Sequence, residues 1–158
     1  MLRPNIGSLH VCLSTINADL TEELARLHAS SGVGYLAAPL FGRPEAVGRG
    51  EAMICVAGLD TSIDRARPYL ERFGLVWSVG VEPRQASVAK LCGDFMIGAA
   101  IQAMAEAVGL IRATDGDAAA FMSLVTETLF CSLLPSTAFT PPRSSEPVRS
   151  LRAASPCR

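Results

Sequence analysis

The lysine at position 90 is unusual in this sequence for both its type and its position. The chain has 14 Lys plus Arg residues, and Lys90 is the single lysine among them. Asp94 follows four residues later, and in a helix this spacing places both side chains on one face. A lysine ammonium can give up a proton during a reaction, whereas an arginine guanidinium does not usefully do so. The pair therefore indicates either acid catalysis by Lys90 or an ordinary i,i+4 ion pair.

Two other segments carry residues that could contact a ligand. Ser14 and Thr15 close one strand pattern, and Gly42 and Arg43 follow the next strand pattern along the chain. Open α/β sheets bind ligands at the carboxyl ends of their strands. A glycine there lets the backbone approach a ligand, and an arginine can form two hydrogen bonds to a carboxylate. The alternatives are an ordinary strand end for the first segment and a solvated surface turn for the second.

These candidate residues need a framework of strands and helices to position them. Alternating and β-branched residues predict strands, and apolar residues three and four apart predict helices. Residues 42–50, with the sequence GRPEAVGRG, are predicted to form a loop because of their glycines and proline. The predicted strands span residues 8–15, 33–41, 51–58 and 75–80, and the predicted helices span residues 17–32, 61–73, 84–112 and 115–130.

The starts of these helices also have sequence signatures. Asp19 with Glu22 three residues later has the spacing of a capping box, and Thr61 with Asp64 repeats it. For the last helix, the expected cap is the aspartate at position 115 or 117.

The chain therefore divides into three segments. An α/β segment, residues 1–83, is followed by an all-α segment, residues 84–132, that begins with one long helix. Residues 133–158 are rich in Pro, Ser and Arg and have no periodicity, which predicts a disordered tail. The same composition also suits the product of an out-of-frame reading of GC-rich DNA.

Composition and charge argue against several kinds of partner. The net charge is -1 and the isoelectric point about 6.1, so nothing demands a nucleic acid or an anionic membrane surface. The apolar runs contain polar residues and fall short of the ~20 residues that a membrane helix needs. The first residues lack the apolar core of a signal peptide. We therefore expect a cytoplasmic protein that binds neither membrane nor nucleic acid.

Cysteine and histidine usage argues against a metal site. The five cysteines stand alone without a C-x-x-C pair, and there are two histidines. An odd number of isolated cysteines fits a reducing compartment, and no stretch has the ligand spacing of a zinc site.

One formal match to a dinucleotide fingerprint can be rejected. Gly32, Gly34 and Ala37 fit G-x-G-x-x-A. A true fingerprint follows a strand and opens a helix, because the helix N-terminus holds the pyrophosphate. This match follows a predicted helix and enters a predicted strand. The sequence contains no other candidate, and it has no G-x-x-x-x-G-K-[ST] motif.

Three short segments, in this order, resemble the β-hydroxyacid dehydrogenases. This family includes 3-hydroxyisobutyrate dehydrogenase, 6-phosphogluconate dehydrogenase-like oxidoreductases and the related imine reductases. LSTINADL resembles the family's strand-end S-T motif, and YLAAPLFGRPEA resembles its D-A-P-V-S-G-G substrate motif. QASVAKLCGDFMI resembles its G-x-x-x-K-x-x-x-N motif at the start of the interdomain helix. The similarity covers roughly residues 7–132.

The resemblance implies an NAD(P)-dependent oxidoreductase that transfers hydride between the nicotinamide and a small hydroxyacid or semialdehyde. Its fold would be the C-terminal half of a Rossmann-type NAD(P)-binding domain, followed by the first helices of an all-α domain. Lys90 matches the catalytic lysine that donates a proton to the carbonyl oxygen. Ser14 and Thr15 match the loop beside the nicotinamide. The matched substrate-binding residues are Phe41, Gly42, Arg43 and Asp94.

Several of these positions depart from the family pattern. Phe41 stands where the family has Ser, Arg43 where it has a second Gly, and Ala37 where it has Asp. Asp94 stands where the family usually has Asn, and its carboxylate would repel a substrate carboxylate. The substrate contacts are therefore expected to differ from those of the family.

The sequence also lacks the β-α-β unit with G-x-G-x-x-G that begins family members. We therefore expect the chain to be a fragment that binds the cofactor weakly. The alternative is a catalytically inactive fragment whose long Ala/Gly-rich helix packs against a partner, since small residues allow helices to approach closely. Relatives in the family form oligomers through the α domain, so a homo-oligomer is one such assembly.

Overall fold

The computed structural model describes residues 7–129, which form a five-stranded sheet with helices. After α5, residues Val125–Leu129 form one turn of π-helix. The predicted tail lies outside the described residues. The strands are β1 (Leu9–Cys12), β2 (Gly34–Ala37), β3 (Leu40–Phe41), β4 (Ala52–Ala57) and β5 (Gly74–Gly80), and the helices are α1 (Ala18–Ser30), α2 (Pro44–Gly48), α3 (Asp60–Leu70), α4 (Pro83–Ala113) and α5 (Ala118–Leu124).

The sheet is mixed, and β4 lies at its centre. β1 pairs in parallel with β2, and β5 pairs in parallel with β4. β2 and β3 both pair antiparallel with β4, through Ala37 opposite Ala57 and Leu40 opposite Ile54. β2 and β3 are two parts of one extended segment. The spatial order is therefore β1, then β2 and β3 together, then β4, then β5. This mixture of parallel strands and connecting helices agrees with the predicted α/β class.

Alternate residues of the strands face opposite sides of the sheet, and each side has its own core. On one side, Ile54 and Val56 of β4 pack with Leu36 against α3. On the other side, Tyr35 and Ala37 of β2 pack with residues of α1 and α4. Further residues of the first core are Ala38, Ile63, Ala66 and Leu70.

The extended segment predicted over residues 33–41 is interrupted. It forms two strands, and the break falls at Ala38 and Pro39. Proline has no backbone N–H to donate, so it cannot continue the ladder as a donor. The Pro39 carbonyl nevertheless accepts a hydrogen bond from the Cys55 backbone N–H at 2.9 Å, which keeps the segment beside β4. The interruption sets the position of β3, and with it the position of Phe41.

The predicted loop over residues 42–50 contains a short helix, α2, which corrects the sequence-based prediction. Pro44 occupies its first turn, where a proline costs no helical hydrogen bond. The glycines flank this helix or end it, so they mark its limits and do not prevent it.

Both predicted capping boxes are wrong. Asn17, and not Asp19, caps α1, because its side-chain oxygen accepts a hydrogen bond from the Leu20 N–H at 2.7 Å. The cap of α3 is Leu59, which makes no side-chain capping bond, so Thr61 already lies inside that helix. Asp117 caps α5 with bonds to the N–H groups of Ala119 and Ala120, at 2.9 and 3.0 Å.

The predicted long helix is confirmed as α4, and it crosses the boundary between two compact units. The contacts divide the chain into residues 1–99 and residues 100–158. Among the described residues, the first unit holds the sheet and the start of α4, and the second holds the rest of α4, α5 and the π-helical turn. In the second unit, Gln102 Nε2 donates a hydrogen bond to Glu106 Oε1 at 2.7 Å, one turn further along α4.

By length and composition, α4 could cross a membrane. One 18-residue window of this helix has a mean hydropathy of 1.4, and none of it is buried among the described residues. The expectation that every apolar run is too short was therefore wrong for this segment, because an Ala-rich helix with a few polar residues still has a high mean hydropathy. The same criteria are met by apolar helices that pack against other protein segments.

Candidate functional site

Lys90 lies on α4 in the first unit, and its side chain is enclosed. The residue is 9% exposed, which is exceptional for a lysine. Its Nζ donates a hydrogen bond to Asp94 Oδ1 at 2.6 Å. Asp94 keeps 44% of its side chain exposed, against 11% for Lys90. The predicted pair is therefore present, with its cation inside and its anion at the surface.

The Phe41 ring forms a second wall around the lysine. Lys90 Nζ lies 4.0 Å from the centroid of this ring, within the range of a cation–π interaction. The ring also touches α4 at Gly93, where an added β-carbon would lie 2.4 Å from Phe41 Cζ. A glycine at this helix position is what lets the Cζ end of the ring approach the helix while the ring stays beside the ammonium.

Cys55 is a further residue that feels the charge of Lys90, and no local sequence signal links the two residues. Burial raises the pKa of the Cys55 thiol, and the positive charge of Lys90 opposes part of that rise. The thiol is therefore uncharged at neutral pH. It lies on the β4 face opposite Ile54 and Val56, which is the face that α4 borders.

A groove opens beside Lys90 along this face of the sheet. Its volume is about 420 Å³, within the range of small-molecule sites. Five of the lining side chains come from the strands, where they alternate along the chain with side chains that face the other side of the sheet. The sixth lining side chain comes from α4. The lining residues are Phe41, Met53, Cys55, Trp77, Val79 and Ile97, and none of them carries a charge. We call this set the apolar groove.

Ser14 and Thr15 lie just beyond β1, at the same edge of the sheet as the end of β2. The Cys12 carbonyl accepts a hydrogen bond from the Ala38 N–H at 2.8 Å, which aligns the two strand ends. Both residues are exposed. Within residues 7–129, no hydrogen bond, ion pair or ring contact joins either of them to Lys90. The sheet thus places these residues at its carboxyl edge, and their role in binding the nicotinamide stays a prediction.

Gly42 and Arg43 connect β3 to α2. A β-carbon at Gly42 would lie 3.3 Å from Ala52 Cβ, so close packing against β4 already accounts for a glycine there. Arg43 supplies the backbone cap of α2, and the residue is exposed. Neither residue lines the apolar groove, and their contact with a substrate stays a prediction.

A buried hydroxyl pair that the sequence analysis missed fixes α4 to α1. Thr21 is 0% exposed and Ser87 is 2% exposed, and their hydroxyl oxygens are 2.7 Å apart. Thr21 also donates to the Asn17 carbonyl at 2.9 Å, so Ser87 is left to donate to Thr21. Ser87 lies three residues before Lys90 on the same helix. The pair therefore sets where the lysine lies.

The two histidines form a separate cluster on β1 and α1. His10 Nδ1 is 2.6 Å from His28 Nε2, and both rings contact the Tyr35 ring. His28 Nδ1 is 2.7 Å from the Leu24 carbonyl and donates to it, so His28 Nε2 accepts from His10. Burial, followed by the charge of His28, lowers the pKa of His10. Within residues 7–129, no group of three or more His, Cys, Asp or Glu side chains could hold a metal ion.

The described residues fit one end of a dinucleotide better than the other. Gly34 opens β2 and Ala37 ends it, so the formal G-x-G-x-x-A match lies on a strand and cannot cradle a pyrophosphate at a helix N-terminus. At the carboxyl edge of the sheet, the polar side chains of Ser14 and Thr15 are free to contact a carboxamide. The donor set therefore suits the nicotinamide end, and the sequence contains no G-x-G-x-x-G for the phosphates.

Residues 3–81 match the family model described as the NAD binding domain of 6-phosphogluconate dehydrogenase. This match ends two residues before α4, so it covers the sheet and its helices and leaves out Lys90.

Two curated proteins illustrate the similarity in sequence. The uncharacterized oxidoreductase YfjR of Bacillus subtilis is 33% identical over 101 residues, which are 63% of this chain and 35% of that protein. The NADH-dependent oxidoreductase ucdB of Aspergillus ustus is 36% identical over 102 residues, which are 64% of this chain and 33% of that protein. The matched region thus spans about a third of the length of these relatives.

A solved structure extends the similarity to the fold. The structure of Mycobacterium tuberculosis 3-hydroxyisobutyrate dehydrogenase with L-serine superposes with a TM-score of 0.71 at 26% identity, covering 76% of this chain and 41% of that one.

Proposed function

Because the chain belongs to the family of the NAD binding domain of 6-phosphogluconate dehydrogenase, we propose that it acts as an NAD(P)-dependent oxidoreductase on a small carbonyl or hydroxyl compound. The family resemblance, the Rossmann-type fold class with following helices, and NAD or NADP as the family's cofactor are as predicted from the sequence. The resemblance suggests a small hydroxyacid or semialdehyde as substrate. The isolated cysteines suit a reducing compartment, so we propose the cytoplasm as the location.

The enclosed ammonium of Lys90 carries this proposal. In the reductive direction, the carbonyl carbon of the substrate accepts a hydride, and the π electron pair moves onto the oxygen. Lys90 Nζ then gives that oxygen a proton and regains one from solvent. The nicotinamide supplies the hydride when it is bound. Asp94 Oδ1 holds one of the three N–H bonds of the ammonium at 2.6 Å, which orients the others.

The surroundings of Lys90 suit proton donation at a fixed point. Phe41 covers one side of the ammonium and excludes water from it, and Asp94 fixes its direction. An enclosed and oriented donor loses little freedom when the transition state forms, because its geometry is set in advance. The Thr21–Ser87 hydrogen bond supports this geometry from the neighbouring turn of α4.

The proposal also concerns how tightly the chain binds the whole cofactor. We propose that the 158-residue chain by itself binds NAD(P)H weakly, since its sequence has no glycine-rich turn at a helix N-terminus for the phosphates. Titration calorimetry at near-millimolar cofactor is expected to show no binding. Tight binding of NAD(P)H would contradict this part of the proposal. It would not test the role of Lys90, which needs a separate assay.

That assay needs a hydride donor that does not depend on a phosphate cradle. 1-Benzyl-1,4-dihydronicotinamide carries the reacting ring without the pyrophosphate or the adenosine. Protein-dependent oxidation of this donor by a panel of small aldehydes and ketones, followed by absorbance, tests the chemistry directly. Lys90→Arg keeps the positive charge and can keep the pair with Asp94, but it cannot release a proton. Loss of the rate in this variant is expected, and equal rates in the variant and the wild-type chain would overturn the proposal.

The second candidate function is assembly through the helical segment, as a catalytically inactive module. In the second unit, α4 presents exposed apolar side chains, among them Ile101 at 62% and Leu110 at 72% exposure. Exposed apolar helix faces of this kind favour contact with another protein surface, and a homo-oligomer is one outcome. Sedimentation velocity separates the two candidates. A stable dimer that shows no hydride transfer supports the module, and a monomer with Lys90-dependent turnover supports the enzyme.

A further inference from the structure

We propose that the site beside Lys90 takes a neutral carbonyl compound with an apolar body, and not one that carries a free carboxylate. The inference rests on the proposed function, because it assumes that Lys90 faces the substrate carbonyl. It narrows the small carbonyl or hydroxyl compounds of the proposed function to neutral ones and excludes the hydroxyacids that the resemblance suggests. Three features of the first unit carry it: the ion pair, the Phe41 ring and the apolar groove.

The ion pair leaves no spare positive charge for a substrate anion. Lys90 Nζ already lies 2.6 Å from Asp94 Oδ1, so the two side chains together carry no net charge. A substrate carboxylate near the ammonium would also approach the Asp94 carboxylate, and two like charges in a partly enclosed site repel each other. A neutral carbonyl oxygen can still accept a hydrogen bond from one of the remaining N–H groups of Lys90.

Phe41 takes up the space beside the ammonium that a polar contact would need. Its ring packs on Lys90 at 4.0 Å and lies against Gly93, which has no side chain to displace it. The aromatic residue and the helix glycine are complementary in shape, so the ring is a built feature of the site. A ring face cannot donate a hydrogen bond to a carboxylate, whereas it offers a good surface for alkyl or aryl groups.

The apolar groove continues this surface away from Lys90. Phe41 belongs both to the wall around the ammonium and to the groove lining, so the two are contiguous. The Cys55 thiol in the lining is uncharged, since burial raises its pKa. Arg43, two residues along the chain from Phe41, does not line the groove. A carbonyl near Lys90 would therefore place the rest of the substrate against apolar side chains.

Trp77 provides a direct measurement of binding. It is the one tryptophan of the sequence and it lines the groove, 47% exposed. The probes are 5-oxohexanoate and its methyl ester, which share the ketone and the chain length and differ in the charge of one end. Each is titrated into the 158-residue chain without cofactor, and the change in tryptophan emission gives the dissociation constant.

The ester is expected to bind at least about tenfold more tightly than the acid. Asp94→Asn removes the competing negative charge and is expected to reduce this ratio to about threefold or less, through tighter binding of the acid. Glu23→Gln removes one negative charge from α1, which does not line the groove, and is expected to leave the ratio unchanged. Phe41→Ser is expected to weaken binding of the ester.

Three results would overturn the inference. They are equal or tighter binding of the acid, a ratio that Asp94→Asn leaves unchanged, and no binding of the ester at millimolar concentration. The measurement needs neither cofactor nor turnover. The titration can therefore contradict the substrate class while the hydride-transfer assay supports the role of Lys90. The reverse outcome is equally possible, so the two claims are tested separately.

Discussion

The Phe41 ring and Gly93 fit each other so closely that a β-carbon on Gly93 would lie 2.4 Å from Phe41 Cζ. This contact joins β3 to α4 within the first unit. It holds Phe41, a residue distant in sequence, beside the ammonium of Lys90, and neither partner indicates the other in the sequence.

Gly93→Ala should therefore change stability in a direction that depends on residue 41. With Phe41 present, the new methyl group forces the ring or the helix to shift, which costs about 1–3 kcal/mol and outweighs the helix propensity of Ala. In a Phe41→Ser background the space is open, and the same change should stabilise by up to about 1 kcal/mol. Urea unfolding of the wild-type chain, the two single variants and the double variant measures both effects. If Gly93→Ala destabilised both backgrounds equally, the close contact between Phe41 and Gly93 would be contradicted.

Replacing Lys90 should affect chemistry much more than stability. Lys90→Met keeps the length and the apolar stem of the side chain, and Asp94 stays partly hydrated because 44% of its side chain is exposed. An i,i+4 pair with one exposed partner contributes at most about 1 kcal/mol, so the free energy of unfolding should change by no more than that. Thermal unfolding of Lys90→Met and of the wild-type chain tests this directly. A loss of several kcal/mol would show that Lys90 has a structural role instead.

The buried hydroxyl pair should behave as a coupled unit. Thr21→Val removes one oxygen and leaves the Ser87 hydroxyl buried without this partner, which should cost about 1–3 kcal/mol. Ser87→Ala in the same chain removes the second hydroxyl as well, and the double variant should recover part of that loss. A double-mutant cycle of unfolding free energies measures the coupling. Strictly additive losses would mean that the two hydroxyls do not depend on each other.

His10 should make the fold less stable in mild acid. The pKa of His10 in the folded chain is lowered from 6.5, first by burial and then by the charge of His28. As the pH falls below about 6.5, the unfolded chain takes up a proton at this position more readily than the folded chain. The free energy of unfolding therefore decreases from about pH 6.5 down through the folded pKa, and above that range the histidine contributes no pH dependence.

The measurement is the melting temperature at about pH 7.5 and about pH 5.5 for the wild-type chain and for His10→Asn. The variant should lose less stability on acidification, because it lacks the imidazole whose pKa folding lowers. The effect should be small, since His10 is exposed over part of its surface. An equal loss in both proteins would assign the acid sensitivity to other groups.

The sequence predicted most elements because their residues carry local signals. The apolar spacing in α1, α3 and α4 and the alternation in β4 are properties of neighbouring residues. The helix caps were less predictable, because Asn17, Asp19 and Glu22 all lie within six residues and several choices fit the pattern. In α2, Pro44 favoured a helix start as much as a loop, and the glycines around it misled the prediction.

The site was only partly predictable for a related reason. The Lys90–Asp94 pair depends on helical spacing and could be read from the sequence. The contact of Lys90 with Phe41 and the effect of its charge on Cys55 depend on the register of β3 and β4, which is set by the break at Pro39. Long-range geometry of this kind has no local signal, so the apolar groove emerged from the structure.

The hydrogen bond between Thr21 and Ser87 also has a consequence for the order of folding. It joins residues 66 positions apart, so it can form only after the intervening strands have brought α1 and α4 together. During synthesis α1 leaves the ribosome long before α4 does, and until then the Thr21 hydroxyl faces water or transient partners. The geometry of Lys90 is therefore complete only once α4 has docked against α1.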